Sequence, residues 1–566
     1  MIDGLPPGMI LILGALLVPL LRGRIRSAYV VALPVLSLLH LLRLFNLEPG
    51  DYLQTTLLDY TVTLARVDKL SLVFGLIFHL AALLSVIYAL HVKDGVQHVA
   101  GLIYAGAGIA ALFAGDMITL FIYWELTAIS SVFLIWASRN ERAYRAGMRY
   151  LIIQVGSGVL LLAGILFHVQ QTGSIAFDHL GLGSLGTNLI FIAFGIKCAF
   201  PLLHNWLQDA YPEATVTGTV FLSAFTTKLA IYALARGFAG THMLIWIGVT
   251  MTIFPIFFAV IENNLRRVLA YSLNNQLGFM VVGIGVGTEM ALNGTVSHAF
   301  AHILYKALLF MTMGAVLYRT GTIKASELGG LYKSMPVTAV CCIIGAMSIS
   351  AFPLFSGFIS KSMVMTAVGE LHTPIVMLGL IFASAGVMEH SGIKIPFFAF
   401  FAHDSGIRCR EAPLNMLIAM VATAALCVLI GVFPGPLYSL LPYPVEYQPY
   451  TTSHVLTQLQ LLLWAALAFC VLVRTGWYPQ ETPSVNLDTD WIYRRVLPRA
   501  IGGIARVGTG LGRRVVDRTL SNIARFIEGV YRHHGPQGVF ARSWPTGSTV
   551  LWVTVILGAF LLLYYL

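Results

Sequence analysis

Charge is what this sequence has least of. Of its 566 residues only 11% are Asp, Glu, Lys or Arg, 57% are hydrophobic, and the mean hydropathy is +0.81. Water-soluble chains average about 25% charged residues, so the composition excludes an ordinary soluble globular protein. Cysteine is also scarce. Six are present (Cys198, Cys341, Cys342, Cys409, Cys427 and Cys470), and no two form a C-x-x-C pair. That spacing points away from a haem, iron–sulfur or zinc site. No cofactor and no metal is expected, and Cys341–Cys342 reads as small helix-packing residues. Long polar stretches are missing before residue 475, which leaves no room there for a separate soluble domain. The first apolar run lacks the basic start of a cleavable signal peptide, because Arg22, Arg24 and Arg26 follow it.

What fills the chain instead is apolar runs of membrane-spanning length, roughly 20 residues each. About sixteen occur, near 8–21, 27–45, 70–91, 98–114, 116–137, 146–169, 187–207, 216–237, 243–261, 265–286, 291–318, 336–369 (interrupted), 373–401, 414–434, 456–474 and 548–566. The net charge of +10 is unevenly spread. Counting segments, the basic loops Arg22–Arg26, Arg139–Arg145, Arg266–Arg267, Arg319–Lys324 and Arg408–Arg410 fall on one side with the tail after 475, which holds ten arginines between Arg494 and Arg542. Glu48, Asp51, Asp59 and Asp116 fall on the other. This positive-inside asymmetry accounts for the basicity without nucleic acid and predicts both termini outside and the Arg-rich tail in the cytoplasm.

The organisation expected is N-terminal transmembrane helices over 1–64, a core over 65–400, further transmembrane helices over 401–475, an Arg-rich amphipathic segment over 476–546 and a transmembrane anchor over 547–566. Within the tail, 491–532 mixes arginine with apolar residues at near-helical spacing, as in a helix lying on anionic lipid. Pro201, Pro353 and Pro396 each remove a helical hydrogen bond inside a span. Broken helices in membranes are tolerated where they line a cavity and often mark ion sites. Asp209 and Glu213, beside Pro212, read as a solvated turn.

An ionisable side chain at mid-bilayer costs at least about 2.5–3.5 kcal/mol, yet the spans carry several: Glu125, Lys197, Lys228, His298, His302, Lys306, Lys361, Glu389, His390 and Lys394. His298, His302 and Lys306 are spaced i, i+4, i+8, which keeps them on one helical face. Histidine titrates near neutral pH. A lysine shielded from water holds its proton less tightly, and a nearby carboxylate restores the hold. Such pairs are what proton translocation requires. Lys361 and Lys394 are long enough to snorkel towards an interface, and Glu389–His390–Lys394 also suits a structural polar cluster.

At these residues the chain resembles the antiporter-like membrane subunits shared by Mrp-type cation/proton antiporters, respiratory complex I and membrane-bound hydrogenases. The resemblance covers roughly residues 65–400 and is carried by DMITLFIYWELTAISS, GIKCAFPLLHNWLQDAYPEA, FLSAFTTKLAIYALAR, NNLRRVLAYSLNNQLGFM, SHAFAHILYKALLF and FPLFSGFISK. Within the family it looks most like the D-type member of the Mrp antiporters, since a lysine stands in FLSAFTTKLAIYAL. Leu273, Asn274 and Asn275 depart from the family pattern. The resemblance implies an all-α polytopic membrane protein of about fourteen core transmembrane helices, two of them broken and related by inverted repeats, followed by an amphipathic lateral segment and a final anchor. It implies that Glu125 tunes Lys197 on the first broken helix. Lys228 is then the central relay lysine, His298, His302 and Lys306 cross the bundle centre, and Lys361 is the exit lysine on the second broken helix. It further implies a bacterial or archaeal cytoplasmic (inner) membrane and partner membrane subunits, with protons, and Na+ as the candidate counter-ion, as the species moved. The competing readings are a proton-pumping subunit of a complex I-like or hydrogenase enzyme, an energy-coupling subunit for inorganic carbon uptake, and a scaffold without transport, which the buried charges disfavour. The chain itself carries no redox ligand, so any enzymatic chemistry would lie in partners.

Overall fold

The computed structural model describes residues 4–57, 59–479, 481–482, 486–534 and 546–565. Its elements run α1 Met9–Ala15, α2 Gly23–Leu44, β1 Gly50–Leu57, β2 Tyr60–Val67, α3 Lys69–Ala89, α4 Gly95–Phe113, α5 Met117–Trp136 and α6 Glu141–Thr172. They continue with α7 Leu185–Cys198, α8 Asn205–Ala210, α9 Gly218–Ala224, α10 Thr226–Gly237, α11 Met243–Ile261, α12 Leu265–Val286, α13 Glu289–Thr320, α14 Pro336–Ile349 and α15 Ser356–Gly369. The chain ends with α16 Pro374–Val387, α17 Lys394–Pro396, α18 Leu414–Val432, α19 Gly435–Tyr438, α20 Thr452–Thr475, α21 Leu497–His534 and α22 Thr546–Tyr565. Among the described residues twelve spans are long and apolar enough to cross a membrane. The protein is a nearly all-helical, multi-pass membrane protein.

Helix starts follow the side-chain chemistry of their first residue. Asp68 and Ser71 close a capping box at the head of α3, Ser184 and Thr187 do the same for α7, and Asn140 and Thr288 cap α6 and α13. Asp116, counted among the acids opposite the basic loops, is buried: it caps α5 and also accepts from the Thr63 amide at 2.7 Å. Packing centres on α13, whose span is 94% buried, between α12, α14, α15 and α18.

The chain forms two compact units, Met1–Asn486 and Leu487–Leu566. The second holds a π turn Ile492–Val496, the 38-residue α21 and α22. Four further differences from the sequence reading stand out. The 8–21 segment folds only into the seven-residue α1 and a short 3-10 turn, because Pro19 ends the regular helix. The connection between α2 and α3 is an antiparallel hairpin, with Gly50 opposite Val67 and Leu57 opposite Tyr60. Pro396 does not break its span. The helix widens into π turns at Met388–Ile393 and Phe397–Phe401 on either side, which reroutes the bond that proline cannot make. Finally, Asp209 is not solvated, since Arg149 grips its carboxylate at 2.6 and 3.0 Å.

The two expected breaks are present and share a sequence. Ala199-Phe200-Pro201-Leu202 ends α7 and Ala351-Phe352-Pro353-Leu354 follows α14. In both, alanine and leucine adopt positive φ: 62° and 70° in the first, 57° and 74° in the second. Counting α9–α10, α11, α12 and α13 as one crossing each, the two broken spans run in opposite directions, as inverted repeats require. A third break has no proline. At Phe225, between α9 and α10, the backbone bends (φ −100°, ψ −63°), and the Tyr104 hydroxyl accepts from the freed Thr226 amide at 3.0 Å.

Candidate functional site

The sequence-derived charges fall into three adjoining groups. In the first, α5 presents Glu125 towards α6 and α7. A Cβ on Gly158 would lie 1.3 Å from Glu125 Oε1, so only glycine at that place in α6 leaves room for the carboxylate. Lys197, in the last turn of α7, is fully buried. Its Nζ donates to the Trp124 carbonyl at 2.5 Å and to Thr127 Oγ1 at 2.9 Å, and lies 4.2 Å from the Trp124 ring centroid. The Trp124 indole is held in turn by Ser157 at 3.1 Å. Glu125 and Lys197 interact electrostatically.

The second group sits at the proline-free break. The Lys228 Nζ donates at 2.5 Å to the Ser223 carbonyl, which the bend at Phe225 strips of its helical partner. This is a lysine serving as cap inside the membrane. Lys228 is in electrostatic reach of Cys198, next to Lys197, and of His302 and Lys306 across the bundle. His302 and Lys306 are wholly buried, and neither ring nitrogen of His302 nor the Lys306 Nζ has a hydrogen-bond partner among the described residues.

The third group lies at the second break. His298 Nδ1 meets Ser360 Oγ at 3.1 Å, and the adjacent Lys361 Nζ stands 4.4 Å from the Phe279 ring centroid with no hydrogen bond among the described residues. Lys361 is only 3% exposed, so it does not snorkel out; it lines a cavity of about 480 Å³ together with Ser362, Thr366, Ser384, His454 and Gln458. The His298 and His302 rings are 6.3 Å apart, and both face Tyr305. The Tyr305 hydroxyl donates to Gln276 at 3.2 Å, and Gln276 donates to Asn275 at 2.7 Å. Asn275, one of the departures from the family pattern, ends that chain on the Thr252 carbonyl. Six of the seven relay candidates are buried and Glu125 is half-buried, and electrostatic reach joins Glu125 to Lys197, Lys228 to His302 and Lys306, and His298 to Lys361.

Sequence reasoning missed Gly158, Tyr104 and Cys198. A glycine one helix away from a membrane glutamate carries no local signal, and neither does a tyrosine paired across 122 residues. It also placed Arg266 among the flanking basic loops. Arg266 is buried and donates to the carbonyls of Tyr211, Pro212, Ala214 and Thr215, so it braces the turn before α9 instead. Lys394, the other lysine considered able to snorkel, is buried too.

Residues 114–387 match the family model for the NADH:quinone oxidoreductase/Mrp antiporter transmembrane region. Over that stretch, just under half of its length, the chain is similar to this antiporter-like membrane family. Hydrogenase-4 component B of Escherichia coli is 28% identical over 424 residues, covering 65% of this chain and 62% of that protein. The D-type Na(+)/H(+) antiporter protein of Alkalihalophilus pseudofirmus is 27% identical over 353 residues, covering 58% of this chain and 71% of that protein. The fold is similar to a chain of the Mrp complex from Dietzia sp. DQ12-45-1b, with a TM-score of 0.78 at 24% identity over 93% of this chain and 62% of the other. This antiporter-like protein therefore spans 62% of the hydrogenase component and 62% of that Mrp chain.

Proposed function

We propose that this antiporter-like protein translocates protons as one subunit within a multi-subunit monovalent cation (Na+)/proton antiporter of a prokaryotic cytoplasmic membrane. The carrying observation is the unpartnered pair His302 and Lys306, buried at the centre of the axis and flanked by Lys228 and Lys361. A buried polar group without a partner costs about 1–3 kcal/mol, a cost that water entering the axis relieves, and a file of water and amines is a proton path.

The chemistry follows from the geometry. When the Glu125 carboxylate approaches, it stabilises the Lys197 ammonium. When it retreats, Lys197 gives up a proton towards Lys228. Lys228 holds its ammonium on a single backbone carbonyl, a tether that rotation about the side chain releases, and His302, Lys306 and His298 pass the proton on. Lys361 delivers it to the cavity beside α15 and α20. Partner membrane subunits and Na+ belong to this reading, as do both termini outside and contact of the Arg-rich tail with anionic lipid. The likeness to hydrogenase-4 component B supports a second reading, a proton-pumping subunit whose electron carriers lie in partners. Identification of the co-purifying subunits separates the two.

The test is sodium-dependent dissipation of a proton gradient in inverted vesicles. Glu125→Ala or Lys228→Ala is expected to abolish it while the complex still assembles, and normal transport in either variant would overturn the relay.

A further inference from the structure

A second charged cluster lies outside the axis just described. It is built on the π turn Met388–Ile393, and widened turns of this kind recur at functional sites. His390 is fully buried. Its Nδ1 meets Ser391 Oγ at 2.8 Å, Ser391 donates to Ser272 on α12 at 2.8 Å, and its Nε2 has no partner among the described residues. His390 is in electrostatic reach of Lys306, Lys361 and Lys394 at once. The turn also presses on the second break, because a Cβ on Gly392 would meet Ser350 Oγ at 2.3 Å.

Beyond His390 lies Lys394. Its Nζ meets the carbonyls of Ala259, Val260 and Glu262 at 3.3, 2.6 and 2.9 Å, where α11 ends, and the Glu481 carboxylate at 2.8 Å. An ammonium has three N–H donors, so four acceptors over-supply it and the lysine can trade one contact for another. Glu481 belongs to the segment after α20. Its side chain is 7% exposed, and burial holds its carboxyl above the ordinary range although Lys394 beside it pulls the other way. Glu389 Oε1 is buried without a hydrogen-bond partner among the described residues, with Tyr478 alongside. Glu262 reaches outward to Arg267 at 3.8 Å and to Asn486 at 3.0 Å.

We infer that His390, Lys394 and Glu481 form a second terminal branch of the proton path, leaving the axis at Lys306 and opening at the segment that follows α20. It rests on the relay reading for its supply of protons. At each hand-over one N–H or O–H bond breaks as another forms. A proton on the His390 imidazole passes to the neutral Lys394 amine, giving ammonium. The ammonium passes it to the Glu481 carboxylate, giving the acid, and the acid releases it to water. Glu389, Glu262, Tyr478 and Arg267 face this end of the branch, and Lys306 and Lys361 face its inner end. Lys361 serves the other exit, so Lys306 is the fork.

Lys394→Arg separates relay from scaffold. Arginine keeps the positive charge and the pairing with Glu481 but does not release its proton. A purely structural lysine would be rescued by it. Because Lys361 serves the other exit, the variants are read in a Lys361→Met background. A relay lysine is expected to leave an assembled complex whose transport falls at least about tenfold below that of Lys361→Met alone. Glu481→Gln removes the carboxylate that takes the proton from Lys394, and the same loss is expected in that background. Lys361→Met that is itself inactive, or Lys394→Arg or Glu481→Gln that transports as Lys361→Met alone does, overturns the branch. Should Lys394→Arg fail to assemble, Glu481→Gln decides alone. Lys228→Ala is measured in parallel. If it transports normally the relay itself is wrong, whereas if it is inactive beside an active Lys361→Met/Lys394→Arg double variant only the branch is wrong.

Discussion

The two broken spans carry the same Ala-Phe-Pro-Leu and the same pair of positive φ angles, yet their lysines live differently. At the first, Lys197 precedes the break, donates to two oxygens and lies against an indole face. At the second, Lys361 follows the break, makes no hydrogen bond among the described residues and borders a cavity of about 480 Å³. The backbone device is therefore generic: it frees carbonyls and bends the chain. What each half does with it depends on neighbours the tetrapeptide does not contain. The first half holds its charge in a buried, hydrogen-bonded pocket suited to switching. The second leaves its charge beside open space suited to release.

The comparison can be broken most forcefully at the glycines. Gly357→Ala would put a Cβ 1.8 Å from the Ser348 backbone carbonyl, which has nowhere to go, so a loss of roughly 3 kcal/mol and poor accumulation in the membrane are expected. Gly158→Ala in the first half meets only the end of the Glu125 side chain, so the protein should accumulate normally while transport fails. Expression and vesicle transport measured together check both, and equal loss of accumulation would erase the distinction. A smaller effect separates the lysines. Lys361→Met removes a buried ammonium that has no hydrogen bond among the described residues and is expected to raise the melting temperature of the detergent-purified protein. Lys197→Met leaves the Trp124 carbonyl and the Thr127 hydroxyl only their bond to each other and takes the cation from beside Glu125, so it should lower it by the equivalent of about 1 kcal/mol. Shifts of the same sign would show that the two environments are not different in kind. The smallest effect tests what the breaks share. Ala199→Gly and Ala351→Gly each relieve a left-handed alanine and should stabilise by about 0.5 kcal/mol, to the same extent.

Most of the spans were legible because an apolar run of membrane length has few alternatives, and the charges inside them were legible because each interrupts such a run. The site's candidates could be named in order for the same reason. Asp209 and Arg266 were misread because loop position suggested water, while their partners lie 60 and 52 residues away in sequence. The break at Phe225 was invisible because no proline marks it. Its cause is Tyr104, on another helix, taking the Thr226 amide.

A multi-pass helical membrane protein, two of its proline breaks and the ionisable residues that bear the cost of burial were all readable from local stretches, since hydropathy and proline act locally. Which of those residues come near one another, which lysine is held and which faces a cavity, and that Lys394 meets Glu481 across 87 residues of chain came from the packing of the helices. Those outcomes depend on distances between helices, and burial turns each distance into an energy that no single segment encodes.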